Sequence, residues 1–371
     1  MIQLCRPALP ETALVNLQRC LASGWLGYGP ACHALEERFT VRGGWALATS
    51  SCTSALYLAG QLCRRGSGDE IVVPAMTFVS TAMAFEAAGY RVRVVDVDPE
   101  SLLLRPESVE AALSPRTVAV VAVHLYGQRC PLPRLRAFCD RHDLILIEDA
   151  AHRLDLLDPE PPMGDLVCYS FNAVKEVPGG EGGMLWGRDR SRESQARSIS
   201  NLGLGIDTWE RSSEVRHRDY RFNPEVGLKL RLNDVCAGLI LAGLDGLATT
   251  RQARAQVFRE LLARIGERTP NLVPLPRHGD DSWLMCVLRV KNDRRKALRT
   301  RLAELGVATS VHYPSLSRHP VFAASSAHCA NAEAADREVL TLPCYPSLTA
   351  EERAAIVSAL RDADELLTAA S

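Results

Sequence analysis

Between residues 45 and 187 short apolar runs rich in β-branched residues alternate with amphipathic stretches. WALATS, EIVVP, VRVVDVD, VAVVAVH and LILIEDA have the length and composition of buried strands. The intervening segments 53–64, 78–88, 106–113 and 132–141 carry apolar residues at helical spacing. VCYSF and GMLWG add two further strands, for seven in all. Continuous apolar strands alternating with helices specify an α/β fold whose mainly parallel seven-stranded sheet lies between helices. After Arg188 the rhythm changes to helix and loop. The stretch from Arg231 to Ile265 predicts two helices meeting near Gly246. Beyond it the pattern predicts a strand at WLMCVLRV, a helix over 293–305, a strand near ATSVHYP and a final helix starting at Thr349. These form a smaller α+β unit, and the expected division is 1–246 for the large domain with its N-terminal segment and 247–371 for the small C-terminal domain.

A chain of 371 residues can bury two such cores. The net charge of −1 and 47% hydrophobic content describe a globular protein and give no electrostatic footprint for nucleic acid or a membrane surface. No stretch reaches eighteen uninterrupted apolar residues, and the first twenty residues lack the sections of a signal peptide. The expectation is therefore a cytoplasmic protein without a membrane or nucleic-acid partner. Twelve cysteines are scattered singly, with no Cys-x-x-Cys pair and no Cys/His cluster at zinc spacing. They are expected to be reduced core thiols, and no metal site is expected.

The chain holds four lysines against thirty-nine arginines. One of the four, Lys175, stands in SFNAVKEVPGGEGG, between an apolar strand and the glycines Gly179, Gly180, Gly182 and Gly183. Ligands of parallel α/β sheets bind at the carboxyl ends of the strands, so polar residues there are the candidates for a site. In TSSCTSAL the amides of Cys52 and Thr53 and the Thr53 hydroxyl open a helix, a place suited to phosphate. Capping of that helix by Ser51 or Thr53 is the plainer reading of those residues taken alone. LILIEDAAH brings Glu148, Asp149 and His152 to a strand end. There Asp149 could cap a helix, act as a base or pair with a protonated ring nitrogen. Phe78 in PAMTFVST, just past another strand, is either core or a flat platform for a planar ligand.

VVDVD ends in acids able to hold a ribose, as a dinucleotide site would require. No Gly-x-Gly-x-x-Gly follows any strand, so the fingerprint turn is missing. Phosphate cup, aromatic platform, carboxylate and constrained lysine together form the set that pyridoxal 5′-phosphate uses. Its aldehyde needs a lysine amine, and a guanidinium, always protonated, cannot replace it.

These residues resemble the DegT/StrS-type nucleotide-sugar aminotransferases, which are fold-type I pyridoxal-phosphate-dependent enzymes. The resemblance rests on LASGWLGYGPACHALEERF, SSCTSAL, GDEIVVPAMTFVSTAMAFEAAGYRVRVVDVD, VHLYGQ, LILIEDAAH, SFNAVKEVPGGEGG and LPCYPSLTAEE, in order over about nine-tenths of the chain. It implies that Lys175 carries the cofactor, Asp149 bonds the pyridine nitrogen, Phe78 stacks on the ring and His152 lies near its phenolic oxygen. It also implies that Cys52, Thr53 and Ser170 hold the phosphate. A homodimer is implied as well, with Lys229, in VGLKLRLND, reaching the partner's phosphate from the place where the family has asparagine. Cys52 takes a position usually held by glycine, and Ser317 one commonly held by histidine. Tyr28 and Tyr313 are candidate substrate contacts or packed aromatics.

The implied reaction moves an amino group from glutamate or glutamine to a keto group of a nucleotide-linked sugar, by a ping-pong mechanism. Keto-cyclitol amination, other chemistry on the same cofactor, and a catalytically silent regulatory partner are the alternatives. Dehydratases of this type carry histidine in place of Lys175, and a silent subunit would be expected to lack Lys175 or Asp149.

Overall fold

The computed structural model describes residues 1–371 except 42, 159, 214–218, 266–268, 280, 370 and 371. The seven expected strands form one sheet: β1 (Trp45–Thr49), β2 (Glu70–Pro74), β3 (Arg91–Val95), β4 (Thr117–Val123), β5 (Ile145–Ala150), β6 (Leu166–Ser170) and β7 (Gly183–Gly187). Their order is β1-β7-β6-β5-β4-β2-β3. Only β7 runs against its neighbours β1 and β6, and the remaining pairs are parallel. Every residue of β1, β2, β4, β6 and β7 is buried, as expected of strands covered on both faces. The carboxyl ends of β1, β2, β4, β5 and β6 and the amino end of β7 consequently share one edge of the sheet.

Helices follow the expected places with small shifts at their ends. The first begins one residue early, as Cys52–Cys63, because Ser51 caps it: its Oγ accepts the Ser54 N–H at 3.1 Å. The next starts at Ser80 rather than 78, which leaves Phe78 in the preceding turn. The third is only Pro106–Glu110, and the fourth, Leu132–Arg141, keeps its expected bounds. Two helices meet around Gly246, as Asp234–Asp245 and Leu247–Ile265. Helices Thr12–Ala22 and Pro30–Thr40 precede the sheet.

Beyond Ile265 a second, antiparallel sheet is built from β8 (Leu272–Pro274), β9 (Cys286–Val290) and β10 (Val339–Leu342), in the order β10-β9-β8. A separate apolar cluster that includes Phe258, Leu288, Leu302 and Ile356 packs it against helices Leu247–Ile265, Arg295–Glu304 and Ala350–Ala369. The last helix opens with a reciprocal cap, Thr349 Oγ1 to the Glu352 N–H at 3.1 Å and Glu352 Oε2 to the Thr349 N–H at 3.0 Å. The strand expected near ATSVHYP is absent and must be corrected. That segment touches the sheet by one bridge, Ser310 to Thr341, and the third strand is Val339–Leu342 instead. Pro314 offers no N–H to a ladder, and Tyr126 Oη donates to the His312 carbonyl, drawing the segment away from the small sheet.

Candidate active site

A cavity of about 380 Å³ opens at the shared edge of the large sheet. Its walls include Cys52, Thr53, Phe78, Asp149, His152, Ser170, Lys175 and Tyr313, so eight of the ten expected site residues converge.

Lys175 is carried on a closed loop. Phe171 N–H bonds Gly182 O at 2.9 Å, Gly179 N–H bonds Phe171 O at 2.7 Å, and Ala173 N–H bonds Gly180 O at 2.9 Å. Gly180 takes a φ of 78°, a conformation that glycine alone adopts without strain. Gly183 starts β7 directly against the phosphate-side turn, where an added Cβ would lie 2.4 Å from the Ser51 carbonyl carbon. Burial lowers the affinity of the Lys175 amine for its proton, opposed by Cys52, Asp149 and Cys5. Among the described residues no carboxylate lies within ion-pair distance of it.

Asp149 and Glu148 adjoin on β5, and the alternation of a strand sends them to opposite faces. Glu148 turns away to accept from His124 Nε2 at 2.8 Å, a pair buried on both sides. Asp149, 4% exposed, faces the cavity. Its Oδ2 accepts from Thr81 Oγ1 at 2.7 Å and its Oδ1 from the Ala151 N–H at 3.0 Å. Burial raises its pKa against the pull of those bonds and of Lys175. Asp149 too lacks a cation within ion-pair distance among the described residues.

At the other wall the Cys52–Cys63 helix points its free N-terminal amides at the cavity, which Ser51, Thr53, Ser80 and Ser170 also line. The Cys52 thiol turns inward, 3.6 Å from Cys168 O and 4.0 Å from Asp149 Oδ1, and burial pushes its pKa well up. It therefore adds bulk without adding charge. Phe78 is 52% exposed and lines the cavity. Tyr313 stands 5.4 Å from it between ring centres.

Two expected residues lie elsewhere. Tyr28 packs under the Arg231 guanidinium, 4.6 Å away, and its hydroxyl meets Glu36 at 2.5 Å and Arg197 at 3.0 Å, so within its own chain it is a packed aromatic. Lys229 is exposed, bridged by its backbone to Asn201, outside this chain's cavity. Sequence reasoning missed Thr81, Asn172, Glu181, Met285 and His312, all but Thr81 on the cavity wall. Thr81 was readable, since it lies three residues after Phe78 beside a strand end. All twelve cysteines are free, and among the described residues no cluster suits a metal.

These residues suit a cofactor with a phosphate, a basic ring nitrogen and an aldehyde. Helix amides and hydroxyls meet the first, a buried carboxylate without a cation meets the second, and a constrained amine without an anion meets the third. Fold and site define the class: a fold-type I, pyridoxal-phosphate-dependent aminotransferase. The chain belongs to the DegT/DnrJ/EryC1/StrS aminotransferase family, whose family model matches residues 7–361. Among solved structures it is similar to the aminotransferase TlmJ from Streptoalloteichus hindustanus, at 28% identity and a TM-score of 0.90, over 99% of this chain and 100% of that one. It is also similar to the sugar aminotransferase CalS13 from Micromonospora echinospora, at 25% identity and a TM-score of 0.85, over 98% and 100%. NtdA from Bacillus subtilis, solved with bound cofactor PMP, shares the fold at 24% identity and a TM-score of 0.85, over 96% of this chain and 82% of that one.

Proposed function

We propose that this chain transfers an amino group from glutamate or glutamine to a keto group of a nucleotide-linked sugar, with pyridoxal 5′-phosphate carried on Lys175. In this reading it works as a cytoplasmic homodimer, with the division between its domains after residue 246. The observation that carries the reading is the pairing of two uncompensated groups, the Lys175 amine and the Asp149 carboxylate, in one cavity beside a helix N-terminus. The name of one similar chain, a sugar aminotransferase, supports a sugar as the acceptor.

When bound, the cofactor supplies a conjugated ring able to spread the negative charge left by loss of a proton from carbon. Asp149 would keep a proton on the ring nitrogen by ion pairing, and Phe78 would supply an apolar surface for the ring. Cys52 and Thr53 amides, with the Ser170 hydroxyl, hold the phosphate, and the partner subunit's Lys229 completes its charge balance. The Lys175 amine would hold the cofactor's aldehyde carbon and, when free, would serve at Nζ as the base and acid that moves a proton on the donor and acceptor carbons. Its lowered pKa provides free amine for that work nearer neutrality than an exposed lysine would. Tyr313 contacts the acceptor.

The test is to load the protein with pyridoxamine phosphate and screen nucleotide-linked keto sugars and inososes for return of the visible absorbance of lysine-linked cofactor. A response to nucleotide-linked keto sugars is expected. A response to inososes alone would move the assignment to keto-cyclitols. Size-exclusion chromatography with light scattering checks the dimer, and mixed dimers of Lys229→Ala with Lys175→Ala chains test whether Lys229 acts across subunits. In that mixture one site per dimer keeps both groups if Lys229 acts across subunits, because the chain that retains Lys175 meets the partner's Lys229, and no site keeps both if Lys229 acts in its own chain.

A further inference from the structure

Tyr313 and His152 share one wall of the cavity, and the hydrogen bonds around them have a readable direction. The backbone N–H of Tyr126 points at His152 Nδ1 from 3.2 Å. A backbone N–H only donates, so Nδ1 is the bare nitrogen and the neutral ring carries its proton on Nε2. Nε2 lies 3.1 Å from Tyr313 Oη, with the two rings stacked at 24°. The histidine therefore donates to the phenol oxygen. That leaves the phenol's own hydrogen without a partner among the described residues, on a residue that lines the cavity.

The arrangement is braced from behind. Tyr126 Oη donates to the His312 carbonyl, His312 Nδ1 meets Thr341 Oγ1 at 2.8 Å, and the Tyr313 ring packs against Phe78. Tyr313 arrives on the segment that leaves the small sheet, whereas Asp149 and Ser170 end strands of the large sheet below it. It thus faces what enters the cavity rather than what lies on the floor.

We propose that Tyr313 donates its hydroxyl hydrogen to the keto oxygen of the amino acceptor, and that His152 is the positioning residue that fixes this direction. The inference rests on the reading of the chain as an enzyme that aminates a keto group. A hydroxyl whose oxygen already accepts from His152 recognises an acceptor atom, and a keto oxygen is one. An ammonium product offers only donors, so the same relay disfavours it and helps its release. Burial, with the charge of Asp149, keeps the phenol protonated, and burial, with the charge of Lys175, keeps His152 neutral.

Two measurements test this on the pyridoxal phosphate form, which has no amine to give and so binds a keto compound without consuming it. Two-bond nitrogen–proton correlation on histidine-labelled protein, with His152 assigned through His152→Gln, is expected to show a protonated Nε2 and a bare Nδ1 from pH 5 to 8. A proton on Nδ1 would overturn the proposal. Calorimetry then uses a dTDP-linked 4-keto-6-deoxyhexose, scyllo-inosose and their amines as probes. Tyr313→Phe is expected to bind the keto probe that wild type binds about tenfold more weakly, the worth of one hydrogen bond, and to bind the matching amine no worse. Equal affinity of variant and wild type for the keto probe would sink the assignment. The nitrogen measurement needs no acceptor, so failure of wild type to bind either probe would count against the acceptor class and leave the relay judged on its tautomer.

Discussion

The two edges of the large sheet each hold a cavity lined with charge, and they differ in how that charge is matched. At the amino ends of β5 and β6 a cavity of about 440 Å³ is lined by Arg64, Arg65, Arg136, Arg188 and Arg192 among aspartates. There Arg65 meets Asp143 at 2.9 Å, and Arg136 meets Asp140 at 2.7 Å and Asp165 at 2.8 Å. Arg192 meets Asp189 at 3.5 Å, while Arg64 and Arg188 are tied to backbone carbonyls. At the carboxyl ends the cavity is smaller, about 380 Å³, yet Lys175 and Asp149 face it with no opposite charge within ion-pair distance among the described residues. Burying such groups unpaired is costly, and folding gives no return for it. Size and charge density therefore point to the wrong edge, and uncompensated charge points to the right one.

The sharpest test of that contrast removes the amine. Lys175→Ala should abolish transamination and the visible band of lysine-linked cofactor, and Lys175→Arg should fail as completely, since it restores charge without a nucleophile. Absorbance spectra with added cofactor check both; a surviving band would break the comparison at its base. Asp149→Asn comes next, with a loss of about 10³-fold in turnover from the missing ion pair. Its fold should not suffer. The native state holds the Asp149 proton more tightly than the unfolded chain does, so charging it costs stability as pH rises. Asparagine never charges, and calorimetric melting of the cofactor-free variant at neutral pH should come out no lower than wild type.

Much of this edge was legible in the sequence, and the limits have physical causes. All seven strands were readable because a strand buried on both faces is a continuous apolar run with turn residues at its ends. The lysine stood out through its rarity and its glycines. Segment 308–314 misled because Thr309, Val311 and Tyr313 have the alternation of a strand, while hydrogen bonds to Tyr126 and Thr341 decide its path. Those partners are 186 and 29 residues away, beyond any local pattern. Asp149 and Glu148 could be separated only in part, since alternation says they face opposite ways and not which one faces the cavity. The polarity of the His152–Tyr313 contact was hidden altogether, because it depends on one backbone N–H from Tyr126.

A third test uses acid. Burial, with the charge of Lys175, holds the His312 pKa down at about 4, against an ordinary value of 6.5. The unfolded chain binds that proton first, so the stabilisation is complete above pH 6.5 and is lost as pH falls towards 4. The depression corresponds to about 3 kcal/mol. Lys175 and His152 are shifted in the same sense and Asp149 in the opposite one, so burial at the carboxyl edge favours the neutral form of each group. Urea unfolding of the cofactor-free protein between pH 7 and 4.5 should show a steeper decline for wild type than for His312→Gln. Identical slopes would mean that His312 is not held neutral at this edge.

The smallest effect belongs to the amino edge and is the one that isolates it. Asp165 Oδ2 accepts from Arg136 and, at 2.8 Å, from the N–H of Leu146 at the start of β5. The ion pair is partly exposed and worth under about 1 kcal/mol, whereas the stranded N–H of a buried residue costs about 1–2 kcal/mol. Asp165→Ala should therefore lower stability by about 1–2 kcal/mol in urea, and Arg136→Ala by less, each with turnover within about twofold of wild type. A cycle of the two variants separates the terms: a coupling below about 1 kcal/mol assigns the loss to the backbone bond. Leu146 is the second residue of β5 and Asp149 the last but one, so the same experiment asks whether loosening one end of the strand disturbs the other. A tenfold fall in turnover for Asp165→Ala, without a matching change in the fraction folded, would show that the two edges are mechanically coupled and that matched charge at the amino edge holds the unmatched charge in place.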